Sequence, residues 1–300
     1  MKKKYYYFIH GLHIESEIKI DAVECDFEKA DVIIEFGKIP LEIDDCIIDY
    51  PDFKASKTKC IEYVKNIANY YSENGNRIII EPALDADETW VSLFLEGRGI
   101  TAILNQRNML TLHGSGVMIE NKGVLIVGDS GAGKSSLATG LLNCGYNLIT
   151  DDLIGLYEME GRLLTHMGIP VQRLGKELIL KFGLENSVTG AVEYPGVRRE
   201  KFYVNRYSEL RKEPIEIHSI FYVKKHKNEI ELMQLKGVEK IHVLLKNIYR
   251  EDFMTIFNSH EMNFKKIVDL ASYTTMFTLK REDGKDTIEE QIKLIVESII

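Results

Sequence analysis

The sequence predicts an α/β protein with a β-rich N-terminal domain at residues 1–95 and a second domain of alternating helices and strands at residues 96–300. Three observations support this prediction. Apolar, β-branched runs separated by turn residues dominate residues 1–95. At residues 123–142 an apolar run, a glycine-rich loop and a helical pattern follow one another. A length of 300 residues with 45% hydrophobic content is enough for one large or two modest cores.

The N-terminal domain is predicted to consist of short strands. Their apolar side chains alternate or cluster as in half-buried strands, and turn residues separate the runs. Trp90 lies in the last of these runs and is interpreted as a core residue, because large aromatic side chains usually serve packing. A place in a functional site is the alternative for Trp90. The strands are predicted at residues 5–14 and 18–23, which are expected to pair with each other, and at 31–36, 77–81 and 90–95.

The second domain is predicted to begin with an amphipathic helix at residues 97–108. A hairpin follows, because turn residues at 121–123 separate strand patterns at 117–120 and 123–127. Gly145 is expected to end the helix after the glycine-rich loop, ahead of a core strand at 147–150. Further strands are predicted at 154–157, 216–224, 229–234 and 272–280, and further helices at 238–250, 259–271 and 287–300.

The glycine-rich loop carries the strongest chemical signal in the chain. Residues 128–135 fit the pattern G-x-x-x-x-G-K-[ST], in which converging backbone N–H groups bind nucleotide phosphates. A chance glycine-rich turn is disfavoured, because the strand and helix on either side aim the helix dipole at the phosphates. Lys134 is predicted to reach the β- and γ-phosphates, and Ser135 to bind Mg²⁺. The predicted phosphate-binding residues are Gly128, Asp129, Ser130, Gly131, Ala132, Gly133, Lys134, Ser135 and Ser136.

A pair of carboxylates follows the strand at 147–150. Because ligands of open α/β sheets bind beyond the carboxyl ends of strands, Asp151 and Asp152 are expected to face the bound phosphates. Phosphoryl transfer uses one carboxylate as a metal ligand and one as a proton acceptor. Adjacent side chains of an extended chain point in opposite directions, so this pair can supply both. A solvated turn is the alternative.

Asp129 would repel phosphates unless a metal ion or Lys134 neutralised it.

Two further groups of residues allow a functional and a structural interpretation. His113, at the end of the strand before the hairpin, is suited to hydrogen-bond a catalytic carboxylate, since imidazole titrates near neutrality. Its spacing alone fits a structural histidine equally well. Arg198, Arg199 and Lys201 form a basic cluster that can clamp phosphates. A solvated charged face is the alternative for this cluster.

Composition excludes several classes of partner. The net charge of −8 and the pI near 5.6 argue against nucleic acid and anionic membranes as main partners. No apolar run approaches the roughly 20 residues that span a bilayer. The basic start at residues 1–4 does not lead into a signal sequence, because His10 interrupts the apolar run. The four cysteines lack metal-type spacing, which is typical of reduced thiols in a cytoplasmic protein.

The motifs together resemble a known family. The stretch His113-Gly114-Ser115, the loop at 128–136 and Thr150-Asp151-Asp152 are similar to the catalytic domain of the bacterial HPr serine kinase/phosphorylase family. That family has a phosphate-loop fold related to phosphoenolpyruvate carboxykinase. Residues 8–18 and 31–40 look more like the stand-alone HPr-kinase-like proteins, some of which phosphorylate a serine of a ribosomally made peptide, as in lasso-peptide tailoring. The resemblance is sharp over residues 109–157 and diffuse elsewhere.

The resemblance implies roles for individual residues. Lys134 and Ser135 would bind phosphate and Mg²⁺, Asp151 would be the base, Asp152 the carboxylate on the metal side and His113 a helper of the base. Two departures from the family argue against HPr as acceptor and against the reverse reaction. Ser136 stands where the HPr enzymes have Glu, and residues 169–175 replace a Glu-Ile-Arg-Gly-Leu-Gly stretch.

The sequence therefore favours an ATP- and Mg²⁺-dependent kinase that phosphorylates a serine-type hydroxyl of a peptide or protein. A non-catalytic protein that binds or senses a nucleotide and a kinase for the hydroxyl of a small molecule are the alternatives. An open groove would suit a peptide and a closed pocket a metabolite. The sequence leaves open the identity of the acceptor, ATP against GTP, the oligomeric state, with a homo-oligomer as one option, and the role of residues 1–95.

Overall fold

A computed structural model describes residues 3–192, 200–206, 211–227, 229–257 and 260–300. This part of the chain contains nineteen β-strands and eight α-helices. Mixed sheets with helices packed on them confirm the predicted α/β class. The first eight strands are β1 (Tyr5–Ile9), β2 (Leu12–Ser16), β3 (Val32–Phe36), β4 (Ile48–Tyr50), β5 (Phe53–Ala55), β6 (Lys59–Val64), β7 (Ala68–Glu73) and β8 (Arg77–Pro82).

These eight strands form one sheet in the order β1-β2-β3-β8-β7-β6-β5-β4 among the described residues. β3 runs parallel to both of its neighbours, and the other neighbouring pairs are antiparallel. The predicted strands at 31–36 and 77–81 are confirmed as β3 and β8. Both lie near the centre of the sheet, where Val32, Ile34 and residues 78–80 are buried.

The hairpin of β1 and β2 corrects the predicted pairing of 5–14 with 18–23. His10 and Gly11 have left-handed backbone conformations, with φ of 51° and 83°, and turn the chain inside the run that had been predicted as one strand. Residues 18–23 form no strand, although Ile18 and Ile20 are buried. The backbone N–H of Ile20 donates to the Tyr7 hydroxyl at 3.0 Å, so a side chain replaces a strand partner.

A helical segment replaces the strand predicted at 90–95. It consists of α1 (Glu88–Phe94), a π-helical stretch (Leu95–Ile100) and α2 (Thr101–Gln106). The Asp87 side chain accepts from Thr89 N at 2.8 Å, which caps the first turn. Val91 and Leu95, four residues apart, are buried on the sheet, which is helical spacing. A short apolar run predicts a strand here, but the cap that Asp87 supplies and the helical spacing of the buried residues favour a helix.

The remaining strands build two further sheets. In the larger one, β10 lies between β9, to which it is antiparallel, and β17, to which it is parallel. This confirms the predicted hairpin and the predicted buried parallel strand. The smaller sheet has the order β14-β16-β15. The strands are β9 (Leu110–Ile119), β10 (Lys122–Gly128), β11 (Asn147–Thr150), β12 (Leu153–Met159), β13 (Arg162–Thr165), β14 (Val171–Gly175), β15 (Val188–Val192), β16 (Lys201–Asn205), β17 (Ile215–His226), β18 (Glu231–Gln234) and β19 (Thr275–Glu282).

Helices cover both faces of β10. Its residues Val124 and Ile126 pack in a cluster with α3 and α8, whereas Leu125 and Val127 pack in a cluster with α5 and α7. Because alternate side chains of a strand point to opposite faces, burial on both faces explains the uninterrupted apolar run. Gly145, with φ of 94°, follows the end of α3 as predicted. The helices are α3 (Lys134–Asn143), α4 (Lys176–Lys181), α5 (Val238–Lys246), α6 (Glu251–Phe257), α7 (His260–Tyr273) and α8 (Ile288–Ile299).

Packing continues across residue 95. One hydrophobic cluster joins Ile78 and Ile80 of β8 to Leu95, Ile100 and Leu153. The helical segment thereby lies between the first sheet and the strands that follow. The division into domains at 1–95 and 96–300 stays a prediction.

Candidate functional site

The loop at 128–133 connects β10 to α3 through glycines that other residues could not replace. Gly128 has φ of 149°, and a Cβ there would lie 2.5 Å from the carbonyl oxygen of Val223. Gly133 has φ of 109° and immediately precedes the first residue of α3. Left-handed φ values of this kind favour glycine. The strand, loop and helix predicted around the motif are therefore present, with the N-terminus of a ten-residue helix at the loop.

Two lysines hold this loop. Lys134 is 8% exposed, and its ammonium donates to the carbonyl oxygens of Gly128 and Asp129 at 2.8 and 3.2 Å. Burial lowers the pKa of Lys134, against the opposing charge of Asp151. The Asp129 carboxylate pairs with Lys246 of α5 at 2.8 Å. This corrects the expectation that Lys134 or a metal ion would neutralise Asp129, because a helix distant in sequence supplies the counter-charge.

Asn247 connects the loop to β9. Its side-chain oxygen accepts from the backbone N–H of Gly128 at 2.9 Å, and its carbonyl oxygen accepts from the N–H of His113 at 2.7 Å. Its amide nitrogen donates to the carbonyl oxygen of Val243 at 2.8 Å. Asn247 is 5% exposed, so these bonds form inside the protein. Asn247 thus fixes the start of the loop relative to β9, the strand that contains His113.

Asp151 directly follows β11, at the carboxyl end of that strand. β10 and β11 are both antiparallel to β9, which lies between them, so their carboxyl ends share an edge. Ser115 of β9 donates its hydroxyl hydrogen to Asp151 Oδ1 at 2.5 Å. Burial raises the pKa of Asp151, and the Ser115 hydrogen bond and the charge of Arg173 oppose that rise. The carboxylate has one oxygen fixed by Ser115, which orients the other.

Asp152 has a different backbone from the one expected. Its φ of 72° is left-handed, so the pair is not an extended dipeptide with opposed side chains. Both carboxylates consequently line the same cleft. The Asp152 carboxylate pairs with Arg173 of β14. Its Oδ1 lies 3.4 Å from Nδ1 of His113.

His113 is a neutral ring in this site. Burial, followed by the charge of Lys134, lowers its pKa to about 4. The ring stacks on Tyr249 with a centroid distance of 5.8 Å. Its Nδ1 lies 3.2 Å from the backbone oxygen of Asp152. Both polar contacts of Nδ1 are therefore with Asp152, and the role of His113 as helper of Asp151 stays a prediction.

A cleft of about 510 Å³ brings these elements together. Its floor contains Ser135, Asp151 and Asp152. One side, here called the helical wall, is formed by residues 88–100. This corrects the interpretation of Trp90 as a core residue, because Trp90 is only half-buried and lines the cleft. The other lining residues are Leu93, Phe94, Gly97, Arg98, Arg173, Val192, Lys201, Tyr249 and Arg250.

A smaller cavity of about 50 Å³ adjoins the cleft. Glu96, Arg173 and Tyr203 line it, and Asp151 and Asp152 line both spaces. Burial raises the pKa of Glu96 to about 8, against the charge of Arg173. Of the predicted basic cluster, Lys201 lies at the cleft, whereas Arg198 and Arg199 lie outside the described residues.

The donors at the cleft suit Mg²⁺. Ser135 offers a hydroxyl and Asp152 a carboxylate, and Mg²⁺ prefers such oxygens together with phosphate and water. Among the described residues, no three or more His, Cys, Asp or Glu side chains form a metal-binding group of their own. The same residues include no helix long and apolar enough to cross a membrane. The four cysteines form no disulfide.

Comparisons with known proteins identify the central part of this chain. Residues 105–175 match the family described as the HPr Serine kinase C-terminal domain. The HPr kinase/phosphorylase of Clostridium botulinum (strain Alaska E43 / Type E3) is 32% identical over an alignment of 117 residues, and the match covers 33% of this chain and 38% of that protein. The HPr kinase/phosphorylase of Enterococcus faecalis is 33% identical over 126 residues, which are 42% of this chain and 37% of that protein. These matches confirm the resemblance to the HPr kinase family.

The chain spans less than two-fifths of the length of either relative. A solved structure described as the Hpr(Ser) kinase/phosphatase from Coxiella burnetii is 14% identical, with a TM-score of 0.32, and covers 63% of this chain and 89% of that one.

Sequence reasoning missed three residues of the site. Arg173 was treated only as part of a divergent stretch, although it pairs with Asp152. Asn247 and Glu96 lie far from the motif in sequence and carry no local signal. An arginine between Gln172 and Leu174 in a short strand carries no clear signal in the sequence.

Proposed function

We propose that this HPr-kinase-like chain is an ATP- and Mg²⁺-dependent phosphotransferase that phosphorylates a serine-type hydroxyl of a peptide or protein in the cytoplasm. One observation carries the proposal. The Asp151 carboxylate, oriented by Ser115 at 2.5 Å, faces the same cleft as Ser135 at the start of α3. A proton acceptor and a phosphate-binding helix start are thus adjacent, which is the arrangement that hydroxyl phosphorylation needs.

The loop at 128–135 would bind the triphosphate as a phosphate loop. Its backbone N–H groups and the N-terminus of α3 stabilise anionic oxygens. Lys134 now donates to two loop carbonyls. On nucleotide binding its ammonium would exchange these for phosphate oxygens, which repay its desolvation. Lys201, which lines the cleft, adds a second positive charge.

Asp151 would act as the base. The acceptor hydroxyl gives its proton to the free oxygen of the Asp151 carboxylate while the hydroxyl oxygen bonds to the γ-phosphorus. The bond between that phosphorus and the β,γ-bridging oxygen breaks, and ADP leaves with the electron pair. Burial raises the pKa of Asp151, which makes the ionised carboxylate a stronger base than an exposed one.

Asp152, Arg173 and His113 would organise the charges beside the base. Ser135 and Asp152 would hold Mg²⁺, which neutralises phosphate charge when bound. The Arg173 guanidinium fixes the Asp152 carboxylate, and the neutral His113 ring adds a hydrogen bond without adding positive charge. This environment keeps Asp151 available as the one carboxylate that takes the proton.

The test compares wild type with Asp151→Asn, using γ-labelled ATP and a panel of serine-containing peptides and small hydroxyl compounds. We expect transfer to fall by about 10² to 10⁴, the usual contribution of a general base. Nucleotide affinity should change little. Asp283→Asn is the matched control, since Asp283 is an exposed carboxylate paired with Lys225. Equal label transfer by wild type and Asp151→Asn would overturn the assignment of the base, and no transfer to any hydroxyl would overturn the kinase proposal.

A further inference from the structure

The helical wall places a guanidinium at the cleft. Arg98, in the π-helical stretch, lines the cleft with its side chain 34% exposed. Its Nη1 donates to Oε2 of Glu62 at 2.7 Å, and its guanidinium carbon lies 5.6 Å from the centre of the Phe94 ring. In the described part of the chain, Nε and Nη2 of Arg98 have no protein hydrogen-bond partner. These donors are therefore available to a ligand.

A buried carboxylate fixes this arginine. Glu62, on β6, is 1% exposed, and its Oε2 accepts from both Arg98 and Arg250 at 2.7 Å. Arg250 also donates to both carboxylate oxygens of Asp252, at 3.2 and 2.9 Å. Its guanidinium is therefore occupied on both edges, whereas that of Arg98 is not. A buried charge costs several kcal/mol unless it is paired, so Glu62 holds the two guanidinium groups firmly.

The surroundings favour an anion that belongs to the acceptor. In the proposed function, Lys134 of the loop and Lys201, which lines the cleft, bind the phosphates. Arg98 instead belongs to the helical wall, beside the apolar side chains of Leu93 and Phe94. A guanidinium with two free donors and a restricted position binds a carboxylate in a fork-like geometry. Apolar neighbours reduce the competition from water.

We propose that Arg98 forms an acceptor subsite that binds a carboxylate close to the hydroxyl to be phosphorylated. This inference rests on the proposed kinase function and specifies its substrate as an acidic acceptor. The carboxylate can belong to an acidic side chain next to the acceptor serine or to the end of a peptide. Glu62 is a positioning residue, because it acts through Arg98.

The binding test does not depend on turnover. Trp90 is the chain's single tryptophan and lines the cleft, so its fluorescence reports binding there. The probes are alanine-based heptapeptides with a central serine and blocked ends, which carry Glu or Gln beside the serine. In a third probe, Gln precedes the serine and the peptide ends at the serine with an unblocked terminal carboxylate. We expect at least one acidic probe to bind wild type about 10-fold more tightly than the blocked Gln peptide, as one charge-assisted hydrogen-bond pair predicts.

Variants then assign the preference to Arg98. Arg98→Met should abolish the preference for the acidic probe and change the Kd of ATP by less than about 2-fold, while Arg98→Lys should retain part of it. Arg77→Met is the matched control, because Arg77 pairs with Glu35 and Glu73 on the first sheet, outside the lining of the cleft. It should bind every probe as wild type does.

Three binding results would overturn the subsite. They are equal binding of acidic and neutral probes by wild type, an unchanged preference in Arg98→Met, and a loss of ATP affinity in Arg98→Met without any effect on the peptides. The last result would assign Arg98 to the nucleotide. If acidic probes bind through Arg98 but receive no phosphoryl group, the subsite stands and the kinase proposal fails. If neutral and acidic peptides are phosphorylated with equal kcat/KM, the kinase proposal stands and the subsite fails.

Discussion

The two sides of the cleft differ in how far apart in the sequence their contacting residues lie. On the phosphate side, the loop at 128–135 lies between a strand and a helix that are contiguous in sequence, and its glycines enforce its shape. On the other side, the helical wall depends on a contact with a residue far away, Glu62 on β6, which Arg250 after α5 also contacts. The proposed phosphate-binding side can therefore be predicted from a short motif. The contacts of the helical wall are visible only in the folded chain.

This difference suggests that variants on the two sides should fail differently. Changes on the phosphate side should reduce transfer to every acceptor. Changes in the helical wall should alter the choice of acceptor or the stability, and leave the nucleotide chemistry in place. The following predictions begin with the largest expected effect.

Lys134→Met should cause the largest loss. The variant keeps a side chain of similar length without the charge, so kcat/KM for ATP should fall by at least about 100-fold, as when one preorganised donor is removed from a developing charge. Thermal stability should be unchanged or higher, because burial lowers the pKa of Lys134 and therefore disfavours its charged form. Label transfer and a thermal melt measure the two effects.

Lys246→Met is the control for that prediction. Removal of Lys246 leaves the Asp129 charge unpaired beside the loop, but solvent screens this pair because the Lys246 side chain is 45% exposed, so transfer should fall by less than about 3-fold. Wild-type transfer by Lys134→Met would show that the loop does not act as a phosphate loop. Equal losses in both lysine variants would show that the loop is sensitive to any change of charge.

Arg173→Met should have the next largest effect, because Arg173 connects the two sides. It pairs with Asp152 and also lines the cavity next to Glu96. Without it the Asp152 carboxylate would lose its fixed position, and kcat should fall by about 10- to 100-fold, while the KM for ATP changes little. Arg162→Met is the control, since Arg162 forms a surface ion pair with Glu216. Wild-type kcat in Arg173→Met would remove Arg173 from the site.

Arg173 also shows how much of the site could be predicted from the sequence. The strand, loop and helix at 123–142, the hairpin and the strand that ends before Asp151 were predicted correctly, because each is encoded by neighbouring residues with a fixed period or spacing. The strand predicted at 90–95 was wrong. A run of six residues is too short to distinguish the two-residue period of a strand from the 3.6-residue period of a helix, and the cap that Asp87 supplies favours the helix. The pairs of Arg173 with Asp152 and of Lys246 with Asp129 depend on tertiary packing, which a single sequence does not show.

Ser115→Ala should have a moderate effect that depends on pH. The Ser115 hydroxyl stabilises the ionised Asp151 carboxylate, so its removal should raise the pKa of Asp151 further. The acidic limb of the pH profile of kcat/KM should move to higher pH, with a loss of about 3- to 10-fold below the midpoint. At alkaline pH the rates should converge. A pH-independent loss would indicate that Ser115 acts through packing, and Ser298→Ala in α8 should leave the profile unchanged.

Glu96→Gln should have the smallest effect on phosphoryl transfer, and its effect should appear in stability instead. Burial raises the pKa of Glu96 to about 8 from an ordinary 4.5, with Arg173 opposing and Asp21 assisting the rise. Folding therefore binds a proton between those pH values, so the contribution of Glu96 is fully present below pH 4.5 and is lost as the pH rises to about 8. Gln cannot ionise. The Tm of wild type should consequently fall relative to that of Glu96→Gln from pH 5 to pH 8 and then level off, with a slope of at most about 1.4 kcal/mol per pH unit, reduced by partial solvent access. The difference should persist in 0.5 M salt, which screens surface charges but not burial. Parallel Tm curves for the two proteins would show that water solvates Glu96. The part of the helical wall that lines the smaller cavity would then pack less closely on the strands.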